Sequence, residues 1–172
     1  TQFDGSNYTD YIYDSDPQVS DLASYAIYDL DASYGEVWLA MEMGEVSYFN
    51  GTGFTHYTTA DGLSEGLKLC IEQDELGQVW AGGSQWPNQV FIDKYDGNSW
   101  TNYSSANGLT LNSIHTIFED SHGNIWAAGD KLMKFNGLIW IEVPTPLASI
   151  SALEEDKQGR LWLAGNHGDV YI

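Results

Sequence analysis

One short motif occurs four times along the chain, and no other feature of the sequence constrains the fold as strongly. Each copy has an aspartate, a short polar gap, a glycine, one further residue, an aliphatic residue and a tryptophan. The tryptophans lie about 40 residues apart, a period typical of stacked repeats such as solenoids and propellers, whose units cannot bury their apolar faces alone. We therefore assign a structural role in the repeat to Trp38, Trp80, Trp126 and Trp162 and to Asp74, Asp120 and Asp156.

Two turn signals divide each repeat into strands. The Asp-x-x-Gly part of the motif predicts a tight turn in which the aspartate accepts backbone N–H groups; the first copy begins at Asp31 and has one extra residue there. A second motif, an aromatic residue followed by Asn-Gly or Asp-Gly, predicts a hairpin turn in which both central residues adopt positive φ. The result is four short antiparallel strands per repeat, as in a β-propeller blade. The second motif occupies residues 49–54, 95–100 and 135–140.

We interpret residues 1–172 as one all-β propeller domain of about four blade equivalents. The blades are expected at about residues 21–63, 64–109, 110–147 and 148–172. The last repeat reaches only its third strand at Val170, and the first residues of the chain read as the missing turn and strand. We therefore expect residues 1–20 to complete the last blade, within the chain or between chains. The sequence leaves three arrangements of the blades possible: a four-bladed ring, a wider ring or filament of several chains, or a segment of a longer propeller.

The second and third repeats carry a family resemblance. Asn107-Gly108-Leu109 precedes the third repeat and Asp61-Gly62-Leu63 precedes the second, while residues 114–129 contain the most complete copy of the motif. On these residues the chain resembles the two-component regulator propeller repeat family. The resemblance implies a β-propeller like the periplasmic sensor domains of hybrid histidine kinases, often sensors of polysaccharide fragments. It also implies an extracellular or periplasmic location. The Asp-x-x-Gly turn is similar to the Asp-box of sialidases, where it is structural.

The charge of the chain narrows the classes of partner. There are 25 acidic and 6 basic residues, giving a net charge of −19. A field of this sign repels nucleic acids and anionic membrane surfaces, and no apolar run reaches the length of a membrane span. The sequence therefore predicts neither nucleic acid binding nor membrane insertion, and it leaves neutral carbohydrates, proteins and further copies of the chain as partners.

Catalytic and metal-binding signals are weak. The acidic pairs near Asp120 and Asp156 recur at the same place in each blade, which indicates a turn requirement and not an active site. The four histidines lack ligand spacing, so we predict no metal site, no cofactor and no enzymatic activity. Only the oxygen-rich segment containing Asp14 and Asp16 is a candidate for weak calcium binding.

One insertion falls outside the repeat pattern. Trp86 lies in this insertion in the second blade, with Gln85 and Asn88 beside it. An aromatic side chain with amide neighbours can stack against a sugar ring. The alternative is that Trp86 packs on a neighbouring blade. We predict a non-catalytic recognition module for carbohydrate or a protein, with a structural subunit that self-assembles by strand exchange as the alternative. Glycosylation is a further possibility at Asn7, Asn50 and Asn102, although turn chemistry also explains these residues.

Overall fold

A computed structural model of the chain describes residues 2–3, 6–10, 22, 26–87, 89–165 and 168–172. Within these residues the fold is all-β, with single-turn 3₁₀ segments at Ser33–Gly35, Thr59–Asp61 and Ser105–Asn107. None of the helices in this part of the chain is long and apolar enough to cross a membrane. The strands are β1 (Gln2–Phe3), β2 (Tyr8–Thr9), β3 (Ile27–Asp31), β4 (Val37–Met41), β5 (Val46–Phe49), β6 (Phe54–Tyr57), β7 (Leu67–Gln73), β8 (Val79–Gln85), β9 (Gln89–Tyr95), β10 (Trp100–Tyr103), β11 (Ile114–Glu119), β12 (Ile125–Gly129), β13 (Leu132–Phe135), β14 (Trp140–Val143), β15 (Ile150–Glu155), β16 (Leu161–Gly165) and β17 (Val170–Tyr171).

Four antiparallel sheets follow one another along the chain. Strands β3–β6 form blade 1, β7–β10 form blade 2 and β11–β14 form blade 3, each with neighbouring strands paired in chain order. Blade 4 has the three strands β15–β17. This arrangement confirms the all-β class and the blade architecture predicted from the repeat.

The first strands of the four blades share one irregularity, which fixes the equivalence of residues between blades. The register of each strand shifts near its start, for example between Ile27 and Asp29 in blade 1 and between Lys68 and Cys70 in blade 2. Beyond the shift, Leu30 pairs with Leu39. The residues equivalent to Leu30 are Ile71 in blade 2, Ile117 in blade 3 and Leu153 in blade 4.

The hairpin turns between third and fourth strands differ from the prediction. Gly51, Gly97 and Gly137 have positive φ, as expected, but among the described non-glycine residues only Tyr34 does. The two-residue turn with two positive φ values is therefore wrong. Asn50 shows the reason, because its Oδ1 accepts the N–H groups of Thr52 at 2.9 Å and Gly53 at 3.0 Å. The side chain thus stabilises a four-residue loop that needs positive φ only at glycine.

The hydrophobic core consists of three clusters, one between each pair of consecutive blades. Trp38, Val46 and Ile71 belong to the cluster between blades 1 and 2. Trp80 and Ile117 belong to the cluster between blades 2 and 3. The third cluster joins blades 3 and 4. Blades 2 and 3 therefore each bury one face against the preceding blade and the other against the following blade, as the repeat period requires.

Among the described residues, the N-terminal strands β1 and β2 do not pair with blade 4. Strands β1 and β2 pair with each other, and the described part of blade 4 remains three-stranded. The first strands of consecutive blades pack against one another in the described part of the chain. Closure of a four-bladed ring within the chain stays a prediction. Completion by a second chain stays a prediction. Much of the predicted N-terminal segment, residues 11–21, lies outside the described residues.

Candidate functional site

Connections between strands bring the predicted site residues to one edge of the blades. In each blade the loop between the second and third strands lies at the same edge as the connection from the preceding blade. We call this edge the connector face; it includes residues 42–45, 58–66, 86–87 and 104–113. The Asp-x-x-Gly turns lie at the opposite edge, which we call the turn face.

Trp86 projects from the connector face of blade 2. It is 91% exposed, so the alternative in which it packs on a neighbouring blade is wrong. Strand β8 ends at Gln85, whose Nε2 donates a hydrogen bond to Oε2 of Glu65 at 2.9 Å. Asn88, the third predicted ligand residue, lies outside the described residues. The structure thus places Gln85 and Trp86 together on one exposed edge, and ligand binding by these residues stays a prediction.

A groove of about 540 Å³ runs beside Trp86 and spans the edges of blades 1 and 2. Met43, which the sequence pattern did not single out, is exposed in the loop of blade 1 that corresponds to the Trp86 loop of blade 2. The equivalence of these two loops in the repeat was the signal in the sequence from which Met43 could have been found. A second depression of about 500 Å³ shares Pro87 and Asn112 with the groove. The groove is lined by Glu42, Met43, Gly66, Leu67, Ser84, Gln85, Trp86, Pro87 and Asn112.

The groove and its surroundings are acidic. Glu42 lines the groove, and within the described residues its buried Oε2 atom has no hydrogen-bond partner. The same holds for Oε2 of the nearby Glu45, and burial raises the pKa of this carboxyl group. No lysine, arginine or histidine is present among the described lining residues. The electrostatic potential of this edge therefore disfavours anionic ligands.

A buried ion pair holds one wall of the groove. Nζ of Lys68 lies 3.1 Å from Oδ2 of Asp93 and donates a hydrogen bond to the carbonyl of Ser64 at 2.7 Å. Both charged side chains are fully buried. Burial lowers the pKa of Lys68, and the Asp93 carboxylate opposes this effect. Asp93 also accepts the hydroxyl of Ser64 at 2.6 Å, so the connection from blade 1 is fixed to blade 2.

The repeated aspartates are turn acceptors on the turn face. Nε1 of Trp80 donates to Asp74 at 2.9 Å, and Nε1 of Trp126 donates to Asp120 at 2.8 Å. Burial alone would raise the pKa of Asp120, but the hydrogen bonds from Trp126 and Asn124 lower it. Asp156 accepts the indole N–H of Trp162 in the same way, at 2.8 Å. These aspartates fix the tryptophan that packs between blades.

Blade 1 departs from this pattern. Asp31 pairs directly with Trp38 across β3 and β4, whereas the residue that pairs with Trp80 in blade 2 is Glu72. Nε1 of Trp38 lies 3.4 Å from Oε2 of Glu36. Asp31 still has the predicted turn role, since its Oδ1 accepts the N–H of Ser33 at 2.8 Å. The extra residue in this turn places Asp31 opposite Trp38, so the indole N–H of Trp38 has Glu36 as its acceptor and not the turn aspartate.

Glutamates next to the turn aspartates join consecutive blades. Oε2 of Glu119 in blade 3 accepts the N–H of Glu75 in blade 2 at 2.7 Å. Oε2 of Glu155 in blade 4 accepts the N–H of Ser121 in blade 3 at 2.6 Å. The recurrence of acidic pairs, attributed above to the turn alone, thus has two causes: the aspartate stabilises the turn and the glutamate links neighbouring blades.

His56 and Cys70 have structural surroundings. Nδ1 of His56 lies 2.8 Å from Oγ of Ser47, and burial lowers the pKa of His56. Burial raises the pKa of the Cys70 thiol, which lies in the core between blades 2 and 3. Within the described residues, no group of three or more His, Cys, Asp or Glu side chains could hold a metal ion. The candidate calcium segment with Asp14 and Asp16 lies outside these residues.

The three candidate glycosylation sites have different surroundings. Asn7 is exposed, and Asn50 forms the turn described above. Nδ2 of Asn102 donates to Oδ1 of Asp93 at 2.7 Å and to the carbonyl of Gly62 at 2.9 Å. A glycan on Asn102 would replace one of the two hydrogens on Nδ2 and would therefore remove one of these hydrogen bonds. Glycosylation stays a prediction at all three positions.

Comparison with known proteins agrees with this architecture. The two component regulator propeller family model matches residues 108–131 and 146–167. The chain is similar to the extracellular domain of BT3049 from B. thetaiotaomicron, assigned to the hybrid two component systems. The TM-score is 0.71 at 17% identity, over 92% of this chain and 23% of that one. The chain is also similar to the extracellular domain of BT4673 from the same organism, which has the same assignment. The TM-score is 0.64 at 13% identity, and the match covers 94% of this chain and 23% of that domain.

These similarities concern the fold. The chain spans less than a quarter of the length of either domain. No protein of curated function matches it in sequence. The two matched stretches confirm the resemblance that was inferred from the repeats. The chain is therefore a protein of propeller-type blades, of which the third and fourth match the two component regulator propeller family model.

Proposed function

We propose that this chain is a non-catalytic recognition module that binds a neutral carbohydrate at its connector face, with Trp86 as the stacking platform. The observation that carries the proposal is the exposure of Trp86 beside the groove. A large apolar ring in water is unfavourable by about 1.5–3 kcal/mol relative to a buried one, and the repeat core does not require this residue. Ligand sites commonly combine an aromatic side chain with a few polar groups, as Trp86 does here with Gln85.

The charge of the groove supports a neutral ligand. Glu42 and the Gln85-bound Glu65 would repel the carboxylates of uronic acids or the sulfates of sulfated glycans. Hydroxyl groups of a neutral sugar, in contrast, can donate hydrogen bonds to these carboxylates. An extracellular or periplasmic location, as for the structural relatives, would bring the module into contact with such ligands. Binding of a protein partner stays a second prediction.

A glycan array first identifies candidate ligands. Isothermal titration calorimetry then measures the affinity of the chain for neutral oligosaccharides and for their acidic counterparts, which tests this proposal. We expect neutral glycans to bind and their uronic-acid counterparts to bind at least tenfold more weakly. Trp86→Ala should abolish binding without lowering the thermal stability. Tyr34→Ala is the matched control, since Tyr34 is an exposed aromatic residue on the turn face. Lack of binding to every neutral glycan, or binding that survives Trp86→Ala, would refute the proposal.

A further inference from the structure

The first strand of blade 1 leaves exposed a position that every other blade buries. Leu30 is 57% exposed, whereas its equivalents Ile71, Ile117 and Leu153 are 3%, 4% and 6% exposed. Each of these three packs against the preceding blade. Ile27 shows the same contrast, because it is exposed while its equivalents in blades 3 and 4 are buried. We call Ile27 and Leu30 the front face of the chain.

The third strand of blade 4 shows the complementary exposure. Val170 is 58% exposed, whereas its equivalents Val46, Ile92 and Leu132 are 0%, 0% and 4% exposed. Each of these three packs against the following blade. Trp162 of blade 4 occupies the position of Trp38 and is less buried than Trp38. We call Trp162 and Val170 the back face of the chain.

The front and back faces are the two halves of one contact. Between blades 1 and 2, Val46 of the earlier blade and Ile71 of the later blade lie in one apolar cluster. Between blades 3 and 4, Leu132 and Leu153 occupy the same two positions. The chain therefore makes this contact between consecutive blades and, within the described residues, leaves both of its halves exposed at the two ends of the blade series. Exposed apolar residues grouped in this way mark interaction surfaces.

We propose that blade 4 of one copy packs against blade 1 of a second copy, with the residue positions that consecutive blades use within the chain. The contact is heterologous, since the front face of one copy meets the back face of another. Repetition of this contact extends the series of blades from one copy to the next. The series closes into a ring when the rotations between successive blades add up to a full turn. It is a contact between sheet faces, and it needs no exchange of strands. Repulsion between chains of net charge −19 opposes it, so added salt should promote it.

Sedimentation velocity of the chain at micromolar and submillimolar concentrations, at low and high NaCl, tests the proposal. We expect association that increases with concentration and with salt. Leu30→Glu and Val170→Glu should each weaken association at least tenfold, because each places an unpaired charge in the contact. The side chains of Leu30 and Val170 are exposed, so both variants should melt like the parent. Leu138→Glu is the control, since Leu138 is exposed on the turn face, away from both ends.

An equimolar mixture of the two variants gives the sharpest result. Leu30→Glu keeps an intact back face and Val170→Glu keeps an intact front face, so the mixture should form a dimer that neither variant forms alone. Failure of the mixture to associate would overturn the proposal, as would an effect of Leu138→Glu equal to that of Leu30→Glu. A chain that stays monomeric under all conditions would also overturn it, and the end faces would then have a different partner.

Discussion

Replacement of Glu72 by glutamine should stabilise the protein at alkaline pH and leave its stability unchanged in mild acid. Glu72 is largely buried near the end of β7, where Oε1 accepts the N–H of Glu119 at 3.2 Å. The pKa of Glu72 is raised to about 7, mainly by burial and to a smaller extent by the carboxylates of Asp31, Glu119 and Asp29. The hydrogen bond from Glu119 opposes these effects.

The magnitude follows from the two pKa values of this group. A pKa of about 7 in the folded chain, against 4.5 for an ordinary glutamate, corresponds to about 3 kcal/mol at about 1.4 kcal/mol per pH unit. Between these values the folded state holds a proton that the unfolded state has released. The free energy of unfolding therefore falls as the pH rises from 4.5 to about 7, and the full loss is present above that range. Glutamine cannot ionise, yet its Oε1 can still accept the N–H of Glu119.

Urea denaturation followed by tryptophan fluorescence at about pH 4.5 and about pH 8.5 measures the effect. At the higher pH the Glu72→Gln variant should be more stable than the parent by up to about 3 kcal/mol. At the lower pH the two proteins should agree. Glu154→Gln is the matched control, because Glu154 is the equivalent residue opposite Trp162 and is exposed. An equal change at both pH values would refute the assignment of the effect to ionisation of Glu72.

Two further substitutions test buried contacts, each by urea denaturation at neutral pH. Asp93→Ala should destabilise the protein by about 3–5 kcal/mol, because Lys68 is then buried without its counter-ion; a loss below about 1 kcal/mol would contradict this. Glu155→Ala should cost about 0.5–1.5 kcal/mol, because the Ser121 amide is exposed and water can replace its acceptor, and it should speed hydrogen exchange at that amide. Glu154→Ala is the control for Glu155, and an unchanged exchange rate at Ser121 would show that the link between blades is not retained in solution.

The repeat made the architecture predictable, because it acts through local chemistry. An Asp-x-x-Gly turn and a tryptophan six residues after the aspartate interact within one hairpin, so the sequence alone contains both partners. The Asn-Gly turns failed for a reason that is also local. The dipeptide suits both a two-residue and a four-residue turn, and the hydrogen bonds of the Asn50 side chain select the second.

Contacts between blades were not predictable in the same way. Glu155 and Ser121 belong to different repeats, and only the register of the packed blades brings them together. The pairing of Lys68 with Asp93 lies within blade 2 and was hidden for a different reason: it is no part of the repeat pattern, since Ile27 and Ile114 occupy the position of Lys68 in other blades. Trp86 of the candidate site was found because it breaks the repeat pattern. The residues across the groove, such as Met43, could be placed beside it only once the order of the blades was known.

Salt should stabilise the chain, because its charge and its buried lysine leave the surface strongly anionic. Of the six basic residues, Lys68 is fully buried and paired with Asp93, so it does not offset the field of the surface carboxylates. Screening limits the repulsion among them to about 8 Å at physiological ionic strength. The free energy of unfolding should therefore rise as NaCl is added at neutral pH. At about pH 4, where many carboxylates are protonated, the same addition should have a much smaller effect. An equal rise at both pH values would indicate a general effect of salt on apolar burial, and not relief of charge repulsion. Calcium at matched ionic strength should act as sodium does unless a specific site exists, and a larger effect of calcium would support binding at the oxygen-rich segment near Asp14.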